Sequence, residues 1–169
     1  MMNSTDHRDF IIGPIDGVVI RDLACYRDDR GWLIELYRND ELSLENHPRM
    51  AYVSETEPGI TRGPHEHHDQ SDCFAFIGPG ELELYLWDAR FDSATLGHCQ
   101  QINVGEKNRR LVIVPPGVVH AYKNVGIQVA WVFNAPNRLY AGEGKRHEVD
   151  EIRHEDHGHS PYITKPCQE

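Results

Sequence analysis

Cysteine is sparse in this 169-residue chain: Cys25, Cys73, Cys99 and Cys167 stand far apart, with no CxxC pair. That spacing supplies neither a disulfide framework nor a structural zinc knuckle, so buried free thiols are the expected state. Positive charge is also short. Against 27 Asp plus Glu there are 17 Lys plus Arg, and 17 − 27 = −10 with histidine neutral. Such a balance disfavours nonspecific attachment to nucleic acid or an anionic membrane, and neither is expected as a partner; local arginines still allow a small anionic ligand. No apolar run approaches the roughly 18 residues of a membrane span, and the opening MMNSTDHRDF lacks the apolar stretch of a signal peptide. The expected location is the cytoplasm. Helical periodicity is nearly missing as well: DELSLENH suits a turn or two, and HEVDEIRHED (147–156) a short C-terminal helix. No internal repeat or low-complexity tract interrupts the chain.

What is present is period two. GWLIELYR (31–38), CFAFIG (73–78), ELELYLWDAR (81–90), RLVIVPP (110–116) and QVAWVFNA (128–135) carry aliphatic, β-branched and aromatic residues between Gly, Pro and Asp punctuation. ELELYLW alternates cleanly and places Leu82, Leu84 and Leu86 on one face. Many short strands without crossover helices predict an all-β sandwich or barrel able to hold a ligand between its sheets. The length fits one domain over 1–169, with a core from about 30 to 140 and residues 141–169 packing on the barrel.

TRGPHEHHDQSD (61–72) crowds three histidines and two aspartates behind an Arg-Gly pair. In an extended strand His65 and His67 share a face. VPPGVVHAYKN (114–124) then offers a proline-glycine turn, His120 at the start of the next strand, and Asn124 beyond it. A third imidazole from a neighbouring strand can thus join the first two. His68, His98, His147, His154, His157 and His159 read instead as surface residues of a histidine-rich acidic protein.

Gly63, His65, His67, Asp72 and Gly78 follow the order of the first signature of the cupin superfamily, and Pro115, Gly117, His120 and Asn124 match the second, PxGxxHxxxN. That resemblance implies a double-stranded β-helix, the cupin jelly roll. A narrower resemblance covers most of the chain. DDRGWLIE (28–35), RGPH (62–65), DARFDSATLG (88–97) and PPGVVHAY (115–122) are similar, in order, to segments of the sugar-nucleotide 3,5-epimerases of the dTDP-4-dehydrorhamnose type. The family resemblance implies His65 as the base, Asp156 as the carboxylate partnering it, and Tyr140 as the acid. It implies a substrate contact for Arg30, Arg62, Glu35 and Arg90, and a homodimer in which the DDRGWLIE strand is exchanged, carrying Arg30 to the partner's site. For Arg90 beside Asp88 a salt bridge bracing the strand end is an equal alternative.

Epimerising a carbon beside a ketone needs a base for the acidified C–H, a donor to hold the enolate oxygen, and an acid on the other face. Histidine suits the first task because its pKa lies near operating pH, and a carboxylate behind the ring fixes its tautomer. His120 is placed to donate to the enolate, and Arg62 and Arg30 to bind a diphosphate. The expected partner is a nucleotide-activated 4-keto-6-deoxyhexose, with no cofactor. Four positions depart from the epimerases. Asp72 stands where they carry a lysine, His67 where glutamine is usual, and Met50 and Tyr52 where glutamine and asparagine serve the nucleotide. The first two leave an alternative open, in which His65, His67, Asp72 and His120 hold a divalent Fe, Mn, Ni or Zn in a metal-dependent cupin isomerase or oxygenase. A noncatalytic sugar-nucleotide binding domain is the third reading.

Overall fold

Alternation of side chains decides how this chain stacks. Leu82, Leu84 and Leu86 are each at most 1% exposed and join one core with Phe74, Phe76, Val112 and Val132, whereas Tyr85 and Trp87 turn to the opposite face. The computed structural model describes residues 10–165; Cys167 lies outside them. Among these residues the strands are β1 (Ile11–Ile12), β2 (Val19–Asp22), β3 (Cys25–Asp28), β4 (Gly31–Ile34), β5 (Tyr52–Thr56), β6 (Thr61–Glu66) and β7 (Asp72–Phe76), followed by β8 (Glu81–Asp88), β9 (His98–Gly105), β10 (Arg110–Val114), β11 (Val118–Asn124), β12 (Ala130–Asn134) and β13 (Ile152–Arg153).

Two sheets form the sandwich, in orders β1-β9-β8-β11-β6-β13 and β2-β10-β7-β12-β5, and β3-β4 stands out as a separate hairpin. The first core lies between the sheets. Leu111, Ile113, Cys73 and Ala75 point away from it, beneath the segment that brings Leu36 and Leu42. On the outer face of the larger sheet Trp87, Tyr85 and Val119 are covered by Phe10 and Tyr162, so both ends of the described chain help seal the barrel. Burying a side chain of this size stabilises by about 1.5–3 kcal/mol, and β8 supplies five of them from both faces.

DELSLENH yields two single 3-10 turns, Asn39–Glu41 and Leu44–Asn46. The expected C-terminal helix over 147–156 does not form. Ile152 and Arg153 instead pair with Glu66 and His65 of β6, and only one 3-10 turn, His154–Asp156, follows. The reason is tertiary: an unpaired β6 edge would leave its backbone donors and acceptors open, and pairing them outweighs a weak helical pattern. Among the described residues no helix is long and apolar enough to cross a membrane. Cys25 and Cys73 are free thiols, and Cys73 and Cys99 are buried.

Candidate active site

β6 and β11 run antiparallel with His65 opposite His120, and the ladder slips between His120 and Tyr122. Such a slip re-aims side chains locally. It also explains the glycine of RGPH. Gly63 sits at φ +91, and a Cβ there would meet the His120 carbonyl oxygen at 2.6 Å. The second motif turns at Gly117, φ +74, whose N–H donates to the His67 carbonyl at 2.9 Å and so ties the two motifs together.

These elements open on a cavity of about 350 Å³, a size suited to a small-molecule ligand. His65 lies on its wall with its side chain 24% exposed, and its Nε2 is 2.7 Å from Glu155 Oε1 and 3.9 Å from Glu151 Oε1. A carboxylate at Nε2 holds the proton on that nitrogen and leaves Nδ1 as the basic one. Glu155, not Asp156, meets the ring; Asp156 is exposed and outside the cavity lining. The reversal follows from β13, whose register sets Arg153 opposite His65 and carries the next turn over the ring. His154, expected at the surface, is instead packed against Tyr162 and 2.8 Å from Glu66 Oε2.

His67, Asp72 and His120 form a second, deeper group. His120 is 4% and Asp72 1% exposed. Asp72 Oδ2 lies 3.3 Å from His67 Nε2 and 3.4 Å from His120 Nε2, and its Oδ1 accepts from Asn134 Nδ2 at 2.8 Å and Gln70 Nε2 at 2.9 Å. His67 Nδ1 donates to the Asp150 carbonyl and His120 Nδ1 to that of Val118 at 3.3 Å. Asp150 also accepts three backbone N–H groups, of His68, Asp69 and Gln70, at 2.7–2.9 Å, which locks the loop after β6. Burial pushes the His120 ring down to about 4 despite Asp72. Burial acts the same way on His67, but Asp72 and the Asp150 carbonyl more than offset it and carry the ring up to about 9. Asp72 itself is held below the usual carboxylate range: burial opposes this, and contacts with the two histidines and Asn134 prevail. The four-residue metal set therefore divides, with His65 committed to Glu155 and the ligand atoms of His67, Asp72 and His120 all within 4.8 Å of one another.

Arg62 is on the cavity wall, where its Nε donates to Thr56 Oγ1 at 3.0 Å and its Nη2 to the Glu55 carbonyl at 2.6 Å. Its remaining N–H groups are available to an anion. Tyr140 is 53% exposed at the cavity, beside Met50, and Tyr52 joins the same lining. Three expected substrate contacts lie elsewhere in this chain. Arg30 is at the tip of the β3-β4 hairpin, paired with Asp28 and 90% exposed. Glu35 is 3.7 Å from Arg38 on the outer side of the smaller sheet. Arg90 braces a loop: its Nε and Nη2 donate to the two oxygens of buried Asp88 at 2.9 Å, and Nη2 reaches the Asp16 carbonyl at 2.7 Å. Ser93 and Thr95 donate to Asp88 Oδ2 at 2.5 and 2.6 Å. DARFDSATLG is thus the satisfied closure of the β8-β9 turn, because a carboxylate with no exposed surface must find its partners locally. Sequence reasoning did not reach Glu155, Glu151, Asp150, Gln70 or Asn134. The nearest signal was DEIRHED, which brings a carboxylate to the right neighbourhood without fixing which.

The model of the family described as dTDP-4-dehydrorhamnose 3,5-epimerase matches residues 13–156. A spore coat polysaccharide biosynthesis protein of Bacillus subtilis, SpsL, is 39% identical over 112 residues, 66% of this chain and 73% of that one. The probable low-salt glycan biosynthesis epimerase Agl13 of Haloferax volcanii is 35% identical over 127 residues, 75% of this chain and 81% of that one. Among solved structures, the dTDP-6-deoxy-D-glucose-3,5-epimerase of Legionella pneumophila in complex with dTDP-4-keto-L-rhamnose superposes with a TM-score of 0.74 at 21% identity, covering 94% of this chain and 84% of that one. A histidine backed by a carboxylate on the wall of a jelly-roll cavity, and a match running through nearly every strand, place the chain in the dTDP-4-dehydrorhamnose 3,5-epimerase family.

Proposed function

We propose that this isomerase epimerises a nucleotide-linked 4-keto-6-deoxyhexose, with His65 as the base. The observation that carries the reading is His65 on the cavity wall, with Glu155 behind it 2.7 Å from Nε2. His65 removes the proton from the carbon beside the ketone, and the C–H electron pair moves to form an enolate on the ketone oxygen. Reprotonation from the opposite face restores the ketone with the centre inverted. Tyr140, at the cavity, is the proton donor in this reading, and Arg62 takes the diphosphate through the N–H groups left free by Thr56 and Glu55. Oxidation state is conserved throughout, so the chemistry calls for no redox cofactor. The nucleotide in the Legionella complex supports dTDP as the carrier.

A homodimer belongs to the same reading. The β3-β4 hairpin leaves Tyr26, Trp32 and Leu33 at 64%, 53% and 63% exposure, apolar surface of the kind a second copy covers, and Arg30 at its tip would then contact the partner's ligand. Incubation with dTDP-4-keto-6-deoxyglucose, followed by NMR of the sugar ring, tests the activity. Inverted C3 or C5 signals are expected from the native protein and not from His65→Ala; an unchanged ring with native protein would refute it.

A further inference from the structure

An enolate formed beside His65 needs a hydrogen-bond donor, and the residues expected to supply one are engaged by the protein. Asp72 stands where the resembling family has its lysine. His67 is turned on that carboxylate, with its Nε2 3.3 Å from Asp72 Oδ2, while its Nδ1 donates to the Asp150 carbonyl. Both ring nitrogens of His120 likewise face protein acceptors, Asp72 Oδ2 at 3.4 Å and the Val118 carbonyl at 3.3 Å, so neither aims an N–H into the cavity. One hydroxyl on the wall is differently placed. Asn134 is fully buried, and its Oδ1 accepts the Cys73 backbone N–H at 3.1 Å. The amide orientation is thereby fixed, and the two hydrogens of Nδ2 go to Asp72 Oδ1 at 2.8 Å and Tyr52 Oη at 2.9 Å. Tyr52 Oη thus accepts from Asn134 and makes no other hydrogen bond among the described residues, which leaves its own O–H for the cavity it lines.

We propose that the Tyr52 hydroxyl holds the developing enolate oxygen by a hydrogen bond, taking over the task of the lysine that this chain lacks. This role rests on the epimerase reading. Because one amide nitrogen of Asn134 bonds both groups, Tyr52 Oη lies next to Asp72, the position of the missing lysine. Tyr52 reaches the cavity from β5 of the smaller sheet and His65 from β6 of the larger, so charge stabilisation and proton removal are divided between the two sheets. When His65 takes the C–H proton, the electron pair passes to the ketone oxygen and the hydrogen bond from Tyr52 to that oxygen tightens. No proton leaves Tyr52, and reprotonation at carbon returns the electron pair. Asn134 is a positioning residue: it stands opposite Tyr52 in the β5-β12 ladder, and an N–H donated to the phenol oxygen polarises the O–H and strengthens it as a donor. Burial, then the Asp72 charge, push the phenol up to about 12 despite Asn134, so it keeps its proton at neutral pH.

Tyr52→Phe removes the O–H and keeps the ring, at a residue 44% exposed where the fold does not depend on the hydroxyl. Native and variant proteins are compared with dTDP-4-keto-6-deoxyglucose by steady-state product formation and by deuterium exchange at C3 and C5, and with dTDP alone by calorimetry. Loss of one oxyanion donor should lower kcat by about 100-fold and leave KM and dTDP affinity within about twofold. Exchange should fall by the same factor as product formation, because the enolate forms in the exchange step; loss of a proton donor slows product and spares exchange. A kcat loss under about tenfold overturns the proposal. So does native exchange with slowed product, which makes Tyr52 an acid, and so does weakened dTDP binding with kcat retained, which returns Tyr52 to the nucleotide. Native protein that neither exchanges nor inverts the ring refutes the epimerase reading and the Tyr52 role together, whereas failure confined to Tyr52→Phe leaves that reading intact.

Discussion

Glu155→Gln should slow epimerisation about tenfold through kcat and leave KM nearly unchanged. The carboxylate accepts from His65 Nε2 at 2.7 Å, a charge-assisted bond of about 1.5–3 kcal/mol. The His65 side chain is 24% and that of Glu155 34% exposed, so water screens the pair and the lower end applies. About 1.5 kcal/mol of lost support for the imidazolium formed in the transition state corresponds to about a tenfold rate loss. Glutamine also offers either an oxygen or an NH₂ to the ring, so the tautomer is no longer fixed and the loss can only grow. Glu151, 3.9 Å away, takes over part of the charge, and the double variant Glu151→Gln/Glu155→Gln should fall further than either single one. Asp156→Asn is the control, because Glu155 and not its neighbour Asp156 is the carboxylate within hydrogen-bond distance of His65. Steady-state rates with dTDP-4-keto-6-deoxyglucose decide the matter. A wild-type rate for Glu155→Gln together with a large loss for Asp156→Asn would refute the assignment.

Four further outcomes follow from the same geometry. Asp88→Asn strands the Arg90 guanidinium and should cost about 3 kcal/mol in chemical denaturation; a change under 0.5 kcal/mol, on the order expected of an ordinary surface position, would show that the brace is idle. Burial opposes ionisation of Asp88, but hydrogen bonds from Arg90, Ser93 and Thr95 prevail and hold its pKa well below the ordinary carboxylate value. Its stabilisation is therefore complete above the unfolded value of about 4 and is lost as pH falls through the lower folded value, so native and Asp88→Asn stabilities should converge in acid; parallel acid profiles would contradict this. Tyr140→Phe should slow product formation by about 100-fold while leaving proton removal at His65 measurable by exchange, and equal loss of both would place Tyr140 in binding. Trp32→Ser with Leu33→Ser should move sedimentation from dimer to monomer, whereas a native protein that already sediments as a monomer ends the exchange idea.

The sandwich was legible because its strands obey period two: Leu82, Leu84 and Leu86 all reach the core between the sheets. The pairing of His65 with His120 was legible too, since each histidine follows its own turn motif. β9 was not. Its HCQQINVG alternates weakly, and only Cys99, Val104 and Gly105 are buried along it. The C-terminal segment misled because the edge of β6, sequence-distant, decides its conformation. That pairing in turn decides which carboxylate meets His65, a choice of one residue that local pattern cannot make. Arg90 shows the converse: a motif shared across a family can be a satisfied buried turn rather than a ligand contact. The division of the four candidate metal ligands required coordinates, since Glu155 lies 90 positions from the histidine it claims.

The central claim is that His65 is the proton-abstracting base, and solvent exchange tests it most directly. Protein and dTDP-4-keto-6-deoxyglucose are incubated in deuterated water, and ring deuterium is read by NMR at C3 and C5. Native protein should place deuterium at one or both carbons, and His65→Ala, folded by circular dichroism, should place none. Exchange at the native rate in His65→Ala would contradict the account.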